Sequence, residues 1–151
     1  YAKRMSNKKV IISACLLGEY CRYDGKTKKV NEVVEAFKDY EIISFCPEAP
    51  LFGTPRERIN VISIEGENRI MTELNSVDVT KLLESQIHSF IQENPNADKI
   101  VLKSKSPSCG FGTTPIMNES KEIINYGNGI ASDIFEKHYK HVKIEDEENY
   151  L

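Results

Sequence analysis

Short apolar runs bounded by polar and turn-forming residues divide the chain into predicted strands. Residues 9–14 (KVIISA), 41–45 (EIISF) and 99–102 (KIVL) are each rich in apolar, mostly β-branched side chains. Runs of this length and composition predict short strands, and we expect those at residues 9–14 and 99–102 to be buried. Residues 60–64 and 69–72 alternate instead between apolar and polar positions around the sequence EGEN, which predicts a β-hairpin.

Apolar residues at helical spacing predict three helices, over residues 31–39, 77–94 and 129–139. The second helix carries the longest apolar stripe and stops before Pro95, which cannot continue a helix. Strands that alternate with helices favour a parallel sheet. We therefore predict an α/β fold with a mainly parallel sheet flanked by helices, Rossmann-like in layout, and a small β-hairpin insertion.

A single compact domain is predicted over residues 1–151, because no internal repeat or linker divides the chain. Residues 1–4 precede Met5 and are interpreted as a remnant of cloning. Residues 145–151 are rich in acidic side chains and are interpreted as a solvated tail.

Composition and charge narrow the class of function. The chain is 40% hydrophobic and 28% charged, as in ordinary globular proteins. No apolar run approaches the roughly 20 residues of a membrane-spanning helix. The net charge of −3 argues against a broad face for a nucleic-acid polymer. Because no secretory signal is visible, we expect a cytoplasmic protein that acts on a small molecule; the sequence leaves the oligomeric state open.

Four cysteines carry the most informative chemistry. No two of them form a C-x-x-C pair, which excludes a zinc ribbon and a ferredoxin-type run. A single cysteine at a strand end is usually a buried apolar side chain. Three of the four, however, lie at or just past the carboxyl ends of predicted parallel strands: Cys15, Cys46 and Cys109. Ligand sites form at that edge of a parallel sheet, so we expect the three thiols to converge there.

Polar residues in the same loops could assist a thiolate-bound metal. Positive charge lowers the pKa of a thiol, and the candidates for supplying it are Arg22, Arg56, Lys103 and Lys105. Glu48 could be a general acid or base, or only a salt-bridge partner. By default Ser106 and Ser108 are turn residues that bond nearby backbone groups, and Asp24 could be no more than part of an Asp-Gly turn.

Three motifs in these loops resemble the thiouracil desulfurase-type family. They are SACLLGEYCRYDG, CPE with a following PR, and LKSKSPSCG, and the resemblance extends from Val10 to about Phe135. It implies a [4Fe–4S] cluster held by Cys15, Cys46 and Cys109, with one iron that has no protein ligand. Cys21 falls where relatives often carry an apolar residue and is not counted as a ligand.

The resemblance also implies an activity. This is a non-redox desulfuration of a small thiolated nucleobase such as 2-thiouracil, in which the sulfur goes to the open iron and water replaces it on the ring carbon. The resemblance makes Glu48 the proton-handling carboxylate and Ser106 the hydroxyl that orients the substrate or relays a proton. Arg22 and Asp24 would shape the pocket or brace the first loop.

Three other interpretations remain open from the residues. The chain could be a non-catalytic protein that binds a metal or a cluster. It could be a cluster-free sulfur-transfer enzyme with Cys109 as the nucleophile, although none of the histidines lies in these loops. It could also be a nucleoside-processing enzyme, a reading that depends on fold analogy alone.

Overall fold

The computed structural model describes residues 8–19, 29–53 and 57–151, and every structural statement below concerns these residues. In these ranges the chain forms β1 (Lys9–Ser13), α1 (Asn31–Ala36), β2 (Glu41–Phe45), α2 (Ala49–Phe52), β3 (Ile59–Ile64), β4 (Glu67–Thr72), α3 (Thr80–Glu93), β5 (Lys99–Leu102), β6 (Thr114–Met117), β7 (Ile123–Gly127), α4 (Ile130–His138) and β8 (Lys143–Asp146). Short 3₁₀ helices follow β1 and β8, at Ala14–Leu17 and Glu147–Tyr150.

The first sheet has the strand order β2-β1-β5-β8, and all its strand pairs are parallel. Val10 and Ile12 belong to the core on the α1 side of this sheet. Ile11 and Ile100 belong to the core on the opposite side, which is filled by α3 and α4. Burial on both faces accounts for the apolar runs of β1 and β5, whereas β2 lies at the edge of the sheet and is largely exposed. The predicted α/β fold, a mainly parallel sheet flanked by helices, is confirmed.

The second sheet has the order β4-β3-β6-β7. The predicted hairpin is present as β3 and β4, and its turn residues Glu65 and Gly66 both have positive φ, at 51° and 80°. The hairpin is not a small isolated insertion, because β3 also pairs in parallel with β6. Ile70 and Ile116 of this sheet pack with Leu83 of α3. Helix α3 therefore packs against both sheets.

Helix α3 begins at Thr80, three residues later than the pattern predicts. The residues before it run beside β4 instead, where the Thr72 N–H donates to the Val77 carbonyl at 2.9 Å and the Val79 N–H donates to the Ile70 carbonyl at 2.8 Å. Among the described residues, none of the helices has the length and apolar character needed to cross a membrane. The interpretation of residues 1–4 lies outside the described residues.

The end of the chain corrects the expectation of a solvated tail over residues 145–151. Residues up to Asp146 form β8, which pairs with β5 and buries Ile144. Glu147 is 6% exposed. The acidic residues are accommodated because basic groups lie opposite them: the Lys99 ammonium, for example, is 3.1 Å from Glu145.

The centre of the first sheet is a topological switch point. From β1 the chain moves outward to β2, and it later returns to the other side of β1 as β5. The Lys103 N–H, just after β5, donates to the Ser13 hydroxyl at the end of β1 at 2.9 Å. Because ligand sites in open parallel sheets form outside the carboxyl ends of strands at such a point, the cavity described next has the expected location.

Candidate active site

A cavity of about 300 Å³ opens at the carboxyl edge of the first sheet, beside the start of β3. Its walls include all five residues that the sequence singles out as ligands or catalytic groups: Cys15, Cys46, Glu48, Ser106 and Cys109. None of the three cysteines forms a disulfide bond. Residues from the ends of β1, β2 and β5, far apart in the sequence, therefore share one pocket.

Turns that begin where a parallel strand ends place the first two cysteines. Cys15 lies in the 3₁₀ helix Ala14–Leu17, which ends at Gly18 with a φ of 98°, in the left-handed region that favours glycine. The Gly18 N–H donates to the Cys15 carbonyl at 3.3 Å, which fixes the backbone beside the sulfur. Cys46 follows β2, and its sulfur accepts a hydrogen bond from the Ala49 N–H at 3.5 Å.

The third cysteine lies in a loop that is fixed from two sides. The Ser106 hydroxyl accepts hydrogen bonds from the N–H groups of Ser108, at 3.2 Å, and Cys109, at 3.1 Å. The start of α4 packs on the same peptide, where the Ala131 N–H donates to the Ser108 carbonyl at 2.7 Å. Gly129 allows this approach, because a Cβ at that position would lie 2.5 Å from the Ser108 carbonyl carbon.

The environment of Cys109 suits a metal ligand. Burial raises the pKa of its thiol well above the ordinary value, and the neighbouring Cys46 and Glu48 raise this pKa further. Hydrogen bonds with the hydroxyls of Ser13 and Ser106 lower it, without offsetting burial. A buried protonated thiol is a poor nucleophile, whereas a metal ion that binds the sulfur displaces the proton. This environment disfavours the cluster-free nucleophile.

The three histidines give no support to that alternative either. His88, His138 and His141 are all exposed, on or beyond helices whose buried sides pack in the core. A nucleophilic thiol is commonly activated by an adjacent histidine base. The structure therefore places the histidines where the sequence suggests, outside the loops that contain the cysteines.

Ser108 is a site residue that sequence reasoning assigned only to a turn. Its side chain is fully buried, and its hydroxyl donates to Glu48 Oε2 at 2.8 Å. This bond joins the loop after β2 to the loop after β5. A carboxylate in a pocket needs a hydrogen-bond donor, and this rule could have suggested a partner for Glu48. The sequence does not show which residue it is, because the donor lies 60 residues away along the chain.

Three basic residues and one carboxylate line this cavity. Lys103 and Lys105 line it, as the sequence suggests, and so does Arg58, which the sequence analysis did not single out. Among the other residues named from the sequence, four lie outside the described residues: Cys21, Arg22, Asp24 and Arg56. A pocket with three cations and one carboxylate favours a ligand that is polar or carries negative charge.

The donor set fits a cluster better than a single metal ion. Among the described residues, no group of three cysteine, histidine or carboxylate side chains could hold one metal ion. A single zinc ion, with Zn–S bonds of about 2.3 Å, draws its thiolate sulfurs to within about 4 Å of one another. In an iron–sulfur cluster each cysteine binds a different iron, so the sulfurs lie farther apart than around a single ion, and thiolates are the ligands such clusters take.

The chain is similar to known proteins in both sequence and fold. Residues 10–147 match the family described as 2-thiouracil desulfurase. An uncharacterized protein, YbbK of Bacillus subtilis (strain 168), is 32% identical over 112 residues, which cover 68% of this chain and 74% of that protein. A solved structure of the [4Fe-4S]-dependent thiouracil desulfidase TudS is 29% identical, with a TM-score of 0.71 over 95% of this chain and 93% of that one.

Proposed function

The chain belongs to the 2-thiouracil desulfurase family, and we propose that it removes sulfur from a thiolated nucleobase at a [4Fe–4S] cluster bound by Cys15, Cys46 and Cys109. The observation that carries this proposal is the single cavity lined by all three thiols. The similar solved structure, whose name describes a [4Fe-4S]-dependent thiouracil desulfidase, supports both the cofactor and the reaction class.

When bound, the cluster supplies an iron atom with an open coordination position and a preference for sulfur over oxygen ligands. The overall reaction is a substitution: a thiocarbonyl and water give a carbonyl and hydrogen sulfide. No electrons are gained or lost. The residues of the protein bind the ring and transfer protons from the attacking water to the departing sulfide.

Glu48 is the group we assign to this proton transfer. Glu48 lines the same cavity as the proposed ligands, and the Ser108 hydroxyl donates to its Oε2 at 2.8 Å. A carboxylate fixed within reach of a substrate can accept the proton of an attacking water molecule. The hydrogen bond to Ser108 restricts the rotation of Glu48, so the carboxylate keeps one orientation towards the pocket.

We assign two roles to Ser106: it supports the Cys109 loop and it contacts the substrate. Its oxygen accepts two backbone N–H groups of the Cys109 loop, and its hydroxyl is also hydrogen-bonded with the Cys109 sulfur. A serine hydroxyl has one hydrogen to donate. Because Ser106 lines the cavity, we assign this hydroxyl the role of orienting the substrate or relaying a proton.

The test is anaerobic turnover of 2-thiouracil by the cluster-loaded protein, with uracil and sulfide measured together. We expect one sulfide for each uracil. Glu48→Gln should lower kcat by about a hundredfold or more, the usual contribution of a positioned general base, and should retain the iron. Glu136→Gln, an exposed change on α4, is the matched control and should keep the parental rate. A cluster-loaded parent that releases no sulfide would contradict the proposal and favour a binding protein.

A further inference from the structure

A buried carboxylate at the end of the chain holds one of the cations that line the cavity. Lys103 Nζ is 3.1 Å from Glu147 Oε2 and donates to the Ser104 carbonyl at 2.9 Å. Glu147 also accepts two hydrogen bonds from Ser104, from its N–H to Oε1 at 2.7 Å and from its hydroxyl to Oε2 at 2.6 Å. Glu147 and Ser104 therefore hold the ammonium of a residue that lines the cavity.

The balance of forces keeps this carboxylate charged. Burial by itself raises the pKa of Glu147, but the hydrogen bonds from Ser104 and the charge of Lys103 outweigh burial and hold the pKa below its ordinary value. Replacing a buried ion pair by apolar residues is often neutral or stabilising. Stability is thus a weak reason for an ion pair in this position, and its location at the cavity wall suggests another reason.

We propose that Glu147 is a positioning residue, which holds the Lys103 ammonium where it stabilises the negative charge that develops on the thiocarbonyl group as water adds to its carbon. This inference rests on the proposed function. In that step a C–O bond forms as the water loses a proton to Glu48, and the π electron pair of the C=S bond moves to sulfur. The remaining C–S bond then breaks with its electron pair on sulfur, which takes up protons and leaves as hydrogen sulfide while the carbonyl forms. Lys103 acts through its positive charge and neither donates nor accepts a proton in this reaction. A cation that is already in place needs no reorganisation during the reaction.

A second ion pair anchors the same segment through Glu145. Glu145, two residues before Glu147, is 3.1 Å from Lys99 Nζ and accepts a hydrogen bond from the Tyr150 hydroxyl at 2.5 Å. These three side chains are not among the residues that line the described cavity. Glu145→Gln is therefore a matched control: it loosens the same segment and leaves the contact between Lys103 and Glu147 in place.

The first test needs no cluster. Acylation of lysines by an N-hydroxysuccinimide ester is followed by peptide mass spectrometry in the parent, Glu147→Gln and Glu145→Gln. We expect Glu147→Gln to increase the labelling rate of Lys103 by about fivefold, the factor that corresponds to one net intramolecular hydrogen bond. Glu145→Gln should leave that rate unchanged. Equal labelling of Lys103 in all three proteins would overturn the positioning role.

The second test measures kcat and KM for 2-thiouracil, together with iron content. Glu147→Gln and Lys103→Met should each lower kcat/KM by about tenfold, mainly through kcat, at parental iron content. Because both changes disable the same cation, the double variant should be no slower than Lys103→Met alone. Additive losses, or an equal loss in Glu145→Gln, would indicate a merely structural effect and overturn the inference.

The two proposals fail in different ways. A cluster-loaded parent without desulfurase activity would overturn the proposed function, while the labelling experiment still decides whether Glu147 positions Lys103. An active parent with an equally active Glu147→Gln would overturn the inference and leave the proposed function intact. If Glu147→Gln does not fold, Ser104→Ala removes one donor to the same carboxylate and takes its place in both tests.

Discussion

Replacing Gly129 by alanine should disturb the Cys109 loop through a steric clash. Gly129 precedes α4 with a φ of −69°, which any residue can adopt. A side chain there therefore causes no backbone strain and acts only through steric overlap. The added Cβ would lie 2.5 Å from the Ser108 carbonyl carbon and 2.8 Å from the Cys109 nitrogen. An ordinary contact needs about 3.4 Å, so the Ser108–Cys109 peptide must retreat by about 0.9 Å.

Both stability and function should respond to this displacement. Overpacking of a tight site typically costs about 1–3 kcal/mol, so we expect the free energy of unfolding to fall by about 2 kcal/mol. For a chain of this size, that change lowers the Tm by about 4–8 °C. A shift of about 1 Å in a catalytic group can reduce kcat by about a hundredfold. Gly129→Ala should therefore bind less iron, or turn over far more slowly at the iron content it retains.

The assay combines a thermal melt of the cluster-free protein with iron counting and 2-thiouracil turnover after reconstitution. Gly127→Ala is the matched control, because the Cβ added there would lie 2.8 Å from Cδ1 of the buried Ile116, a steric clash away from the Ser108–Cys109 peptide. Its iron content and kcat should be those of the parent. The reasoning would be refuted if Gly129→Ala had the Tm, iron content and kcat of the parent.

Two further predictions concern a buried hydroxyl and an ion pair far from the site. Ser108→Ala removes the donor that orients Glu48 and should lower kcat about tenfold at parental iron content; a parental kcat would contradict the assigned geometry. At Asp78, burial alone raises the carboxyl pKa, but hydrogen bonds from Arg69 and Thr80 lower it from 3.8 to about 2. Because the folded pKa lies below the unfolded one, this carboxylate stabilises the fold above about pH 4, and the effect is lost as the pH falls through about 2. Since the side chain of Asp78 is 38% exposed, Asp78→Asn should cost only about 1 kcal/mol at pH 7. Urea unfolding should show that difference vanish near pH 2, and a difference that persists there would argue against the ion pair as its cause.

The convergence of the three cysteine loops could be predicted from the sequence, because it follows from a local pattern and a general rule of sheet topology. Three short apolar runs predict parallel strands, and the rule that ligand sites form beyond their carboxyl ends then brings Cys15, Cys46 and Cys109 to one edge. The structure places all three on one cavity. Their role as cluster ligands remains a proposal that chemistry must test.

Other features depend on long-range pairing that no local pattern reveals. The strands β6 and β7 lie in a polar stretch, with Pro115 inside β6, and become strands only because β3 provides a partner for β6. The acidic end of the chain resembles a solvated tail until Lys99 and Lys103 are placed opposite its carboxylates. The contact of Ser108 with Glu48 is hidden for the same reason, since 60 residues separate its partners.

The central claim is that three cysteines hold a cluster at this cavity. It is tested most directly by anaerobic reconstitution, with iron and sulfide counted beside a visible spectrum. We expect about four irons and four sulfides per chain, the composition of a [4Fe–4S] cluster, in the parent and in the control Cys21→Ala. Alanine at Cys15, Cys46 or Cys109 should abolish that content. A parent that assembles no cluster, or a cluster that survives the loss of any of the three proposed ligands, would contradict the account.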